Sequence, residues 1–178
     1  DYVEWANYYP PGTEMINGVR VHRLHVRKKR IPHLFGRADQ WLMNGSGRPA
    51  DFEQRRWAQL MGPDLEGLRA WLIDNHKRFD VAIFMTYLYS TATLGIPVLA
   101  GRLPIVFQPT AHTEPALRVP YFQSLFRMPD SFLFFTPEER RIVREKFRIE
   151  PQGRISGIGI DVAPQTSNPE KFRDRFGL

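Results

Sequence analysis

The sequence predicts an α/β domain built on a doubly wound, mostly parallel sheet. Three observations lead there. Short, nearly continuous apolar runs stand at 80–85, 104–108 and 131–135, as expected of strands covered on both faces. Helix-compatible segments alternate with them, giving the order α-β-(α)-β-α-β-α-β after residue 62. The third run is followed at once by Thr136-Pro137-Glu138-Glu139, a helix start with a capping threonine, a first-turn proline and an acid that closes the capping box. At 178 residues and 42% apolar, the chain can bury one core, and the sheet is Rossmann-like in kind.

Taken in order, residues 1–18 read as loop, closed by a turn at Asn17-Gly18. Val19 to Val26 alternates apolar and polar residues, the pattern of a half-buried strand. Arg27 to Ala50 reads as a long irregular loop. Asp51 is placed as an N-cap with Gln54 as its partner, and that helix runs to about Met61. Gly62-Pro63 breaks it. A second helix is expected with Pro63 in its first turn, Leu65, Leu68 and Leu72 on one face, and Lys77 and Arg78 at its end. Tyr89 to Ala100 is compatible with a helix that Pro97 kinks or ends. Pro115 to Arg127 reads as helix interrupted near Pro120. The helix from Thr136 runs to about Phe147. Arg154 to Asp161 is the last strand, with a glycine-rich end, and Pro169 to Phe176 is a short helix with Gly177 as its C-cap.

Ligands of parallel sheets bind outside the carboxyl ends of the strands. Those ends are Thr86-Tyr87, Thr110-Ala111-His112, Thr136 and the stretch 157–161. Of five histidines, only His112 follows a buried strand in a polar turn, and Glu114 stands two residues on as a partner to orient it. The rival role of Glu114 is a first-turn helix acid. The pair Glu138 and Glu139 is explained by capping. Cysteine is absent, which excludes disulfides and thiolate metal sites. No His-Glu-x-x-His, Walker-type loop or Gly-x-Ser-x-Gly elbow is present. Gly157-Ile158-Gly159 lacks the third glycine of a dinucleotide loop. No apolar run reaches membrane-spanning length. The net charge of +6 favours anionic partners, and Arg27, Lys28, Lys29 and Arg30 form the one dense basic run.

Phe79-Asp80-Val81, then Leu103-Pro104-Ile105-Val106 leading to Thr110-Ala111-His112, then Phe135-Thr136-Pro137-Glu138-Glu139 and Ile158-Gly159-Ile160-Asp161 fall in a telling order. With Gly18-Val19-Arg20-Val21-His22-Arg23 upstream, the chain resembles the N-terminal lobe of retaining glycosyltransferases of the GT-B fold, family 4. The resemblance implies transfer of a sugar from a nucleotide-sugar to an acceptor with retention of configuration. It implies no cofactor and no catalytic metal ion. It assigns the acceptor to this lobe and places His112 beside the sugar and phosphate of the donor. Thr86, Tyr87, Thr110, Glu114, Thr136 and Gly159 are the lining candidates.

Residues 1–163 are then the acceptor-side lobe and 164–178 a linker toward a donor-binding lobe. The family's first strand and glycine-rich loop are expected ahead of Asp1. The donor-gripping Arg, Lys and Glu-x7-Glu element are expected beyond Leu178, so this chain alone is expected to transfer no sugar. Ile158 stands where the family carries Asn. The expected partners are a nucleotide-sugar and a sugar or lipid-linked acceptor, with no nucleic acid. The expected location is cytoplasmic, peripheral on the inner membrane face through the basic run. Two rivals remain: a non-catalytic anion-binding module built on residues 27–30, and a GT-B-fold sugar-nucleotide epimerase.

Overall fold

The computed structural model describes residues 3–44, 50–159 and 168–178. It begins with a hairpin where loop is expected. Strand β1 (Gly12–Ile16) pairs antiparallel with β2 (Val19–Arg23). Asn17 and Gly18 both have positive φ, 49° and 80°, the geometry a two-residue hairpin turn of the mirror-image type requires. The hairpin is largely exposed. The strand expected to reach Val26 stops at Arg23. Beyond it, β3 (Val26–Lys28) turns away to pair with β4 (Asp64–Leu65).

The long loop expected from Arg27 to Ala50 is replaced over much of its length by α1 (Pro32–Asn44). Pro32 sits in the first turn, where its missing N–H costs nothing. Phe35, Ala38 and Leu42, at i, i+3 and i+7, pack on the core. Helix α2 (Asp51–Met61) follows. Its cap is Ala50 rather than Asp51: the Glu53 carboxylate accepts the Ala50 N–H at 2.7 Å, while Gln54 turns into the core. Pro63 does not open a helix. It follows a cis peptide and leads into β4, and α3 (Leu68–Asn75) starts only after Gly67, whose φ is 71°.

The centre of the molecule is a parallel sheet of β5 (Ala82–Met85), β6 (Ile105–Gln108), β7 (Ser131–Phe134) and β8 (Gly153–Ile155), in that spatial order. The connections carry α4 (Ser90–Leu99), α5 (Tyr121–Leu125) and α6 (Pro137–Phe147). Helix α7 (Pro169–Phe176) buries none of its residues. The expected strand at 154–161 ends at Ile155, and 160–167 lie outside the described residues. Gly153 is required in β8, because a Cβ there would sit 2.0 Å from the Phe132 carbonyl oxygen.

Register puts Phe84, Phe107, Phe132 and Phe134 on one face, and helices cover it. A Cβ on Gly95 of α4 would collide with the Phe84 ring. Phe126, just past α5, contacts the rings of Phe107, Phe132 and, from α6, Phe147. The opposite face differs from the expectation of strands covered on both sides. Ile83 is 59% and Met85 56% exposed, because β5 is the edge strand and nothing described lies over them.

Helix α4 also runs two residues past Pro97 instead of ending there. Proline lacks the N–H that the Thr93 carbonyl would otherwise accept. The Tyr121 hydroxyl replaces it, donating to that carbonyl at 2.8 Å.

Candidate functional site

The carboxyl ends of β5 and β6 form the candidate site. Thr86 follows β5 and Thr110 follows β6, and both have left-handed backbones, with φ of 62° and 55°. For a β-branched residue that conformation is strained, and such strain concentrates where function demands a particular shape. The two turns are tied to each other. Thr86 N–H donates to the Gln108 carbonyl at 2.9 Å and Tyr87 N–H to the Pro109 carbonyl at 3.0 Å.

The loop after β6 is anchored from a third strand. Thr136 caps α6, its hydroxyl accepting the Glu139 N–H at 3.1 Å. That capping turns the Glu139 carboxylate back over the strand ends. One oxygen accepts the Phe135 N–H at 2.7 Å and the other the Ala111 N–H at 2.8 Å. Glu139 is 4% exposed, so these bonds replace water around a buried carboxylate.

His112 emerges from this fixed backbone with its side chain 73% exposed. Nδ1 lies 3.4 Å from the Thr110 carbonyl oxygen and 3.6 Å from Glu114 Oε1. Both neighbours are acceptors, so Nδ1 carries a proton toward them, while Nε2 faces solvent. Glu114 is not a helix-stabilising acid alone: its side chain is only 19% exposed, and it starts the 3₁₀ turn at 115–118. A groove of about 400 Å³ runs beside it, lined by Thr113, Glu114, Arg118, Ile142, Glu145 and Lys146.

Tyr87 departs from its expected place on the site's surface. It is 1% exposed and its ring sits against Phe122 and Phe126. Burial, and then the Glu114 carboxylate, push its pKa well above the ordinary tyrosine range. The fold thus gathers Thr86, Tyr87, Thr110, His112 and Glu114. Thr136 joins them only through Glu139. Gly159 is exposed beyond β8, and among the described residues nothing links it to His112. Sequence reasoning missed that Glu139 clamps the His112 loop; an acid three residues past the Thr136 cap was its only visible sign.

The basic run does not act as four free cations. Arg27 makes a two-point ion pair with Asp64, at 2.9 and 3.1 Å. Arg30 lies over the rings of Trp5 and Phe35 and donates to the Met61 carbonyl, and burial lowers its pKa. Lys28 and Lys29 face solvent. Among the described residues there is no group of three or more His, Asp or Glu placed to hold a metal ion, and no helix long and apolar enough to cross a membrane. No protein-family description, curated protein or solved structure matches the chain.

Proposed function

We propose that the chain is the N-terminal, acceptor-side lobe of a retaining glycosyltransferase of the GT-B fold, similar to family 4. It works with a nucleotide-sugar donor and a sugar or lipid-linked acceptor. The doubly wound arrangement is part of this proposal, since four parallel strands in sequence order make one wing of such a sheet. The observation that carries the reading is His112. It is a solvent-facing imidazole at the carboxyl end of an internal parallel strand, on a loop clamped by Glu139 and flanked by strained Thr86 and Thr110. Ligands of parallel sheets bind at that end.

In this reading His112 acts with both ring nitrogens protonated: Nδ1–H is held by its acceptor neighbours, and the outward Nε2–H donates to the negative charge that develops as the bond between sugar and diphosphate breaks. A preorganised group at such a position contributes roughly 10²–10³-fold in rate. The acceptor occupies the groove beside Glu114. The cations that hold the diphosphate belong to a second lobe, so the 178-residue chain alone transfers no sugar.

The test uses a polypeptide carrying this lobe together with its donor-binding lobe. It is offered a panel of nucleotide-sugars, released nucleotide is measured, and the configuration of the product is read by proton NMR. Retained configuration, with a loss of roughly 10²-fold or more in His112→Ala, is the expected result. An inverted product, or turnover indifferent to His112→Ala, would overturn the reading.

A further inference from the structure

The N-terminal hairpin sorts its charges by face. Side chains alternate along a strand, so Arg20 and His22 of β2 share one face with their partners on β1, Met15 and Thr13. Glu14, the hairpin's one acid, belongs to the other face and ion-pairs with Arg23. The first face closes on the chain that leads into β5. Between the two runs a groove of about 360 Å³, lined by Met15, Gly18, Arg20, His22, Arg78 and Phe79. Among the described residues no acid lines it. The groove beside Glu114 differs in kind, for there Glu114 and Glu145 offset Arg118 and Lys146.

The groove's walls are held in advance. Asn75 donates through Nδ2 to the Trp71 carbonyl at 2.9 Å, and its Oδ1 accepts from Arg78 Nη1 at 2.7 Å. Nε and Nη2 of that guanidinium remain for a ligand. The Trp71 ring ties the two walls together, 5.0 Å from His22 and 6.2 Å from Phe79. The Thr13 hydroxyl bonds His22 Nδ1 at 2.7 Å. Arg20 has no carboxylate partner among the described residues. Two arginines from separate elements suit a phosphate group, which accepts several charge-assisted bonds from guanidinium N–H groups at once. Phe79 is 47% and Met15 61% exposed, so the same groove offers apolar surface to whatever carries the phosphate.

We infer that this groove binds a phosphate monoester: Arg20 and Arg78 hold the phosphate, and its organic part lies against Phe79 and Met15. The volume is that of a small-molecule site. It is separate from the His112 site, for Phe79 precedes β5 while Thr86 follows it. The anionic partner that a net charge of +6 favours thus has a place that the run at 27–30, with Arg27 and Arg30 already engaged, does not offer.

The experiment is an NMR titration of the ¹⁵N-labelled 178-residue chain with inorganic phosphate and with glucose 6-phosphate, at constant ionic strength. Saturable shifts are expected at the amides of Arg20, His22 and Phe79, with glucose 6-phosphate bound more tightly than free phosphate. Arg20→Gln and Arg78→Gln should each weaken binding about tenfold. Asn75→Ala, which frees the Arg78 guanidinium, should weaken it less. Lys28→Gln, which removes an equal charge elsewhere, should leave it unchanged. Both arginines are exposed, so their variants keep the fold, and thermal unfolding checks this. Shifts that rise without saturation overturn the inference, as does a loss in Lys28→Gln equal to that in the arginine variants. Glucose 6-phosphate bound more weakly than free phosphate overturns it too. Vesicles of phosphatidylcholine containing phosphatidic acid then identify the source of the ester. Co-sedimentation that both arginine variants abolish makes it a lipid headgroup, and any other result makes it a soluble one. None of these outcomes depends on His112 or on sugar transfer.

Discussion

The Tyr121 hydroxyl bonds the carbonyl of Thr93, the one that Pro97 deprives of its helical partner. A proline inside a helix normally ends or kinks it. Here a side chain from α5 supplies the missing donor, and α4 continues to Leu99, where it covers β5 and β6. The pairing makes a sharp prediction. Tyr121→Phe should cost about 1–3 kcal/mol by leaving a buried acceptor unpaired. In a Pro97→Ala background the helix supplies its own N–H, and the same change should cost under about 1 kcal/mol. Urea unfolding of the four proteins measures this coupling. Equal costs in the two backgrounds would refute it.

Glu139 is expected to matter to both fold and site. Glu139→Ala leaves the Ala111 and Phe135 N–H groups unsatisfied in a buried place, a loss of about 3 kcal/mol. Glu139→Gln keeps one acceptor and should lose about half as much. Hydrogen exchange at Ala111 separates this clamp from a general loss of stability. Its amide should exchange faster in Glu139→Gln while amides in β6 keep their protection.

Thr86 offers the converse. Its left-handed backbone is strained, and glycine removes that strain while adding chain entropy to the unfolded state. Thr86→Gly is therefore expected to leave stability unchanged or raise it by about 1 kcal/mol, although a hydroxyl and a methyl are lost. Thermal melting decides: a fall larger than about 3 °C would mean that the side chain makes contacts worth more than the strain.

How far the sequence could be read depends on whether the deciding interaction was local. The three apolar runs and the Thr136 cap are local, and strands and helix appear within two residues of their expected bounds. The carboxyl-end rule placed His112 correctly relative to β6. What could not be read depends on distant partners. Helix α1 exists because Phe35, Ala38 and Leu42 meet a core assembled from later residues, and glycine-rich flanks hid that stripe. The Pro63 segment becomes strand because β3 is there to pair with it. Tyr87 lies at a strand end as expected, but aromatic neighbours 35 to 39 residues away draw it inward. Backbone strain at Thr86 and Thr110 has no signature in residue type at all, since glycine is what such positions usually carry.

The uncovered side of β5 predicts solution behaviour. Its apolar run predicts burial on both faces, yet Ile83 and Met85 stand open beside a strand edge that none of the described residues pairs. Open apolar edges recruit other chains, and a charge on the edge opposes this. Ile83→Lys is expected to keep the melting temperature within about 3 °C, because little buried area is lost. It should also reduce self-association in light scattering at equal concentration. A variant that scatters as strongly as the parent would show that the edge is not what associates.

Alkaline pH provides the remaining prediction. Burial raises the pKa of Tyr87, with Glu114 adding to the effect, and burial also raises that of Tyr121. In the unfolded chain both phenols ionise near the ordinary value of about 10. Above that pH the unfolded state sheds protons that the folded state retains, so the unfolded state gains and stability falls. The contribution is thus fully present below about pH 10 and declines as pH rises beyond it, by up to about 1.4 kcal/mol per pH unit for each phenol. Tyr87→Phe removes one of the two titrating groups. Between pH 10 and 11, where the unfolded phenol goes from half to mostly ionised, the variant's stability should fall less than that of the parent by about 1 kcal/mol. Parallel stability curves for the two proteins would mean that the Tyr87 hydroxyl ionises as freely in the fold as outside it, which its burial against Phe122 and Phe126 forbids.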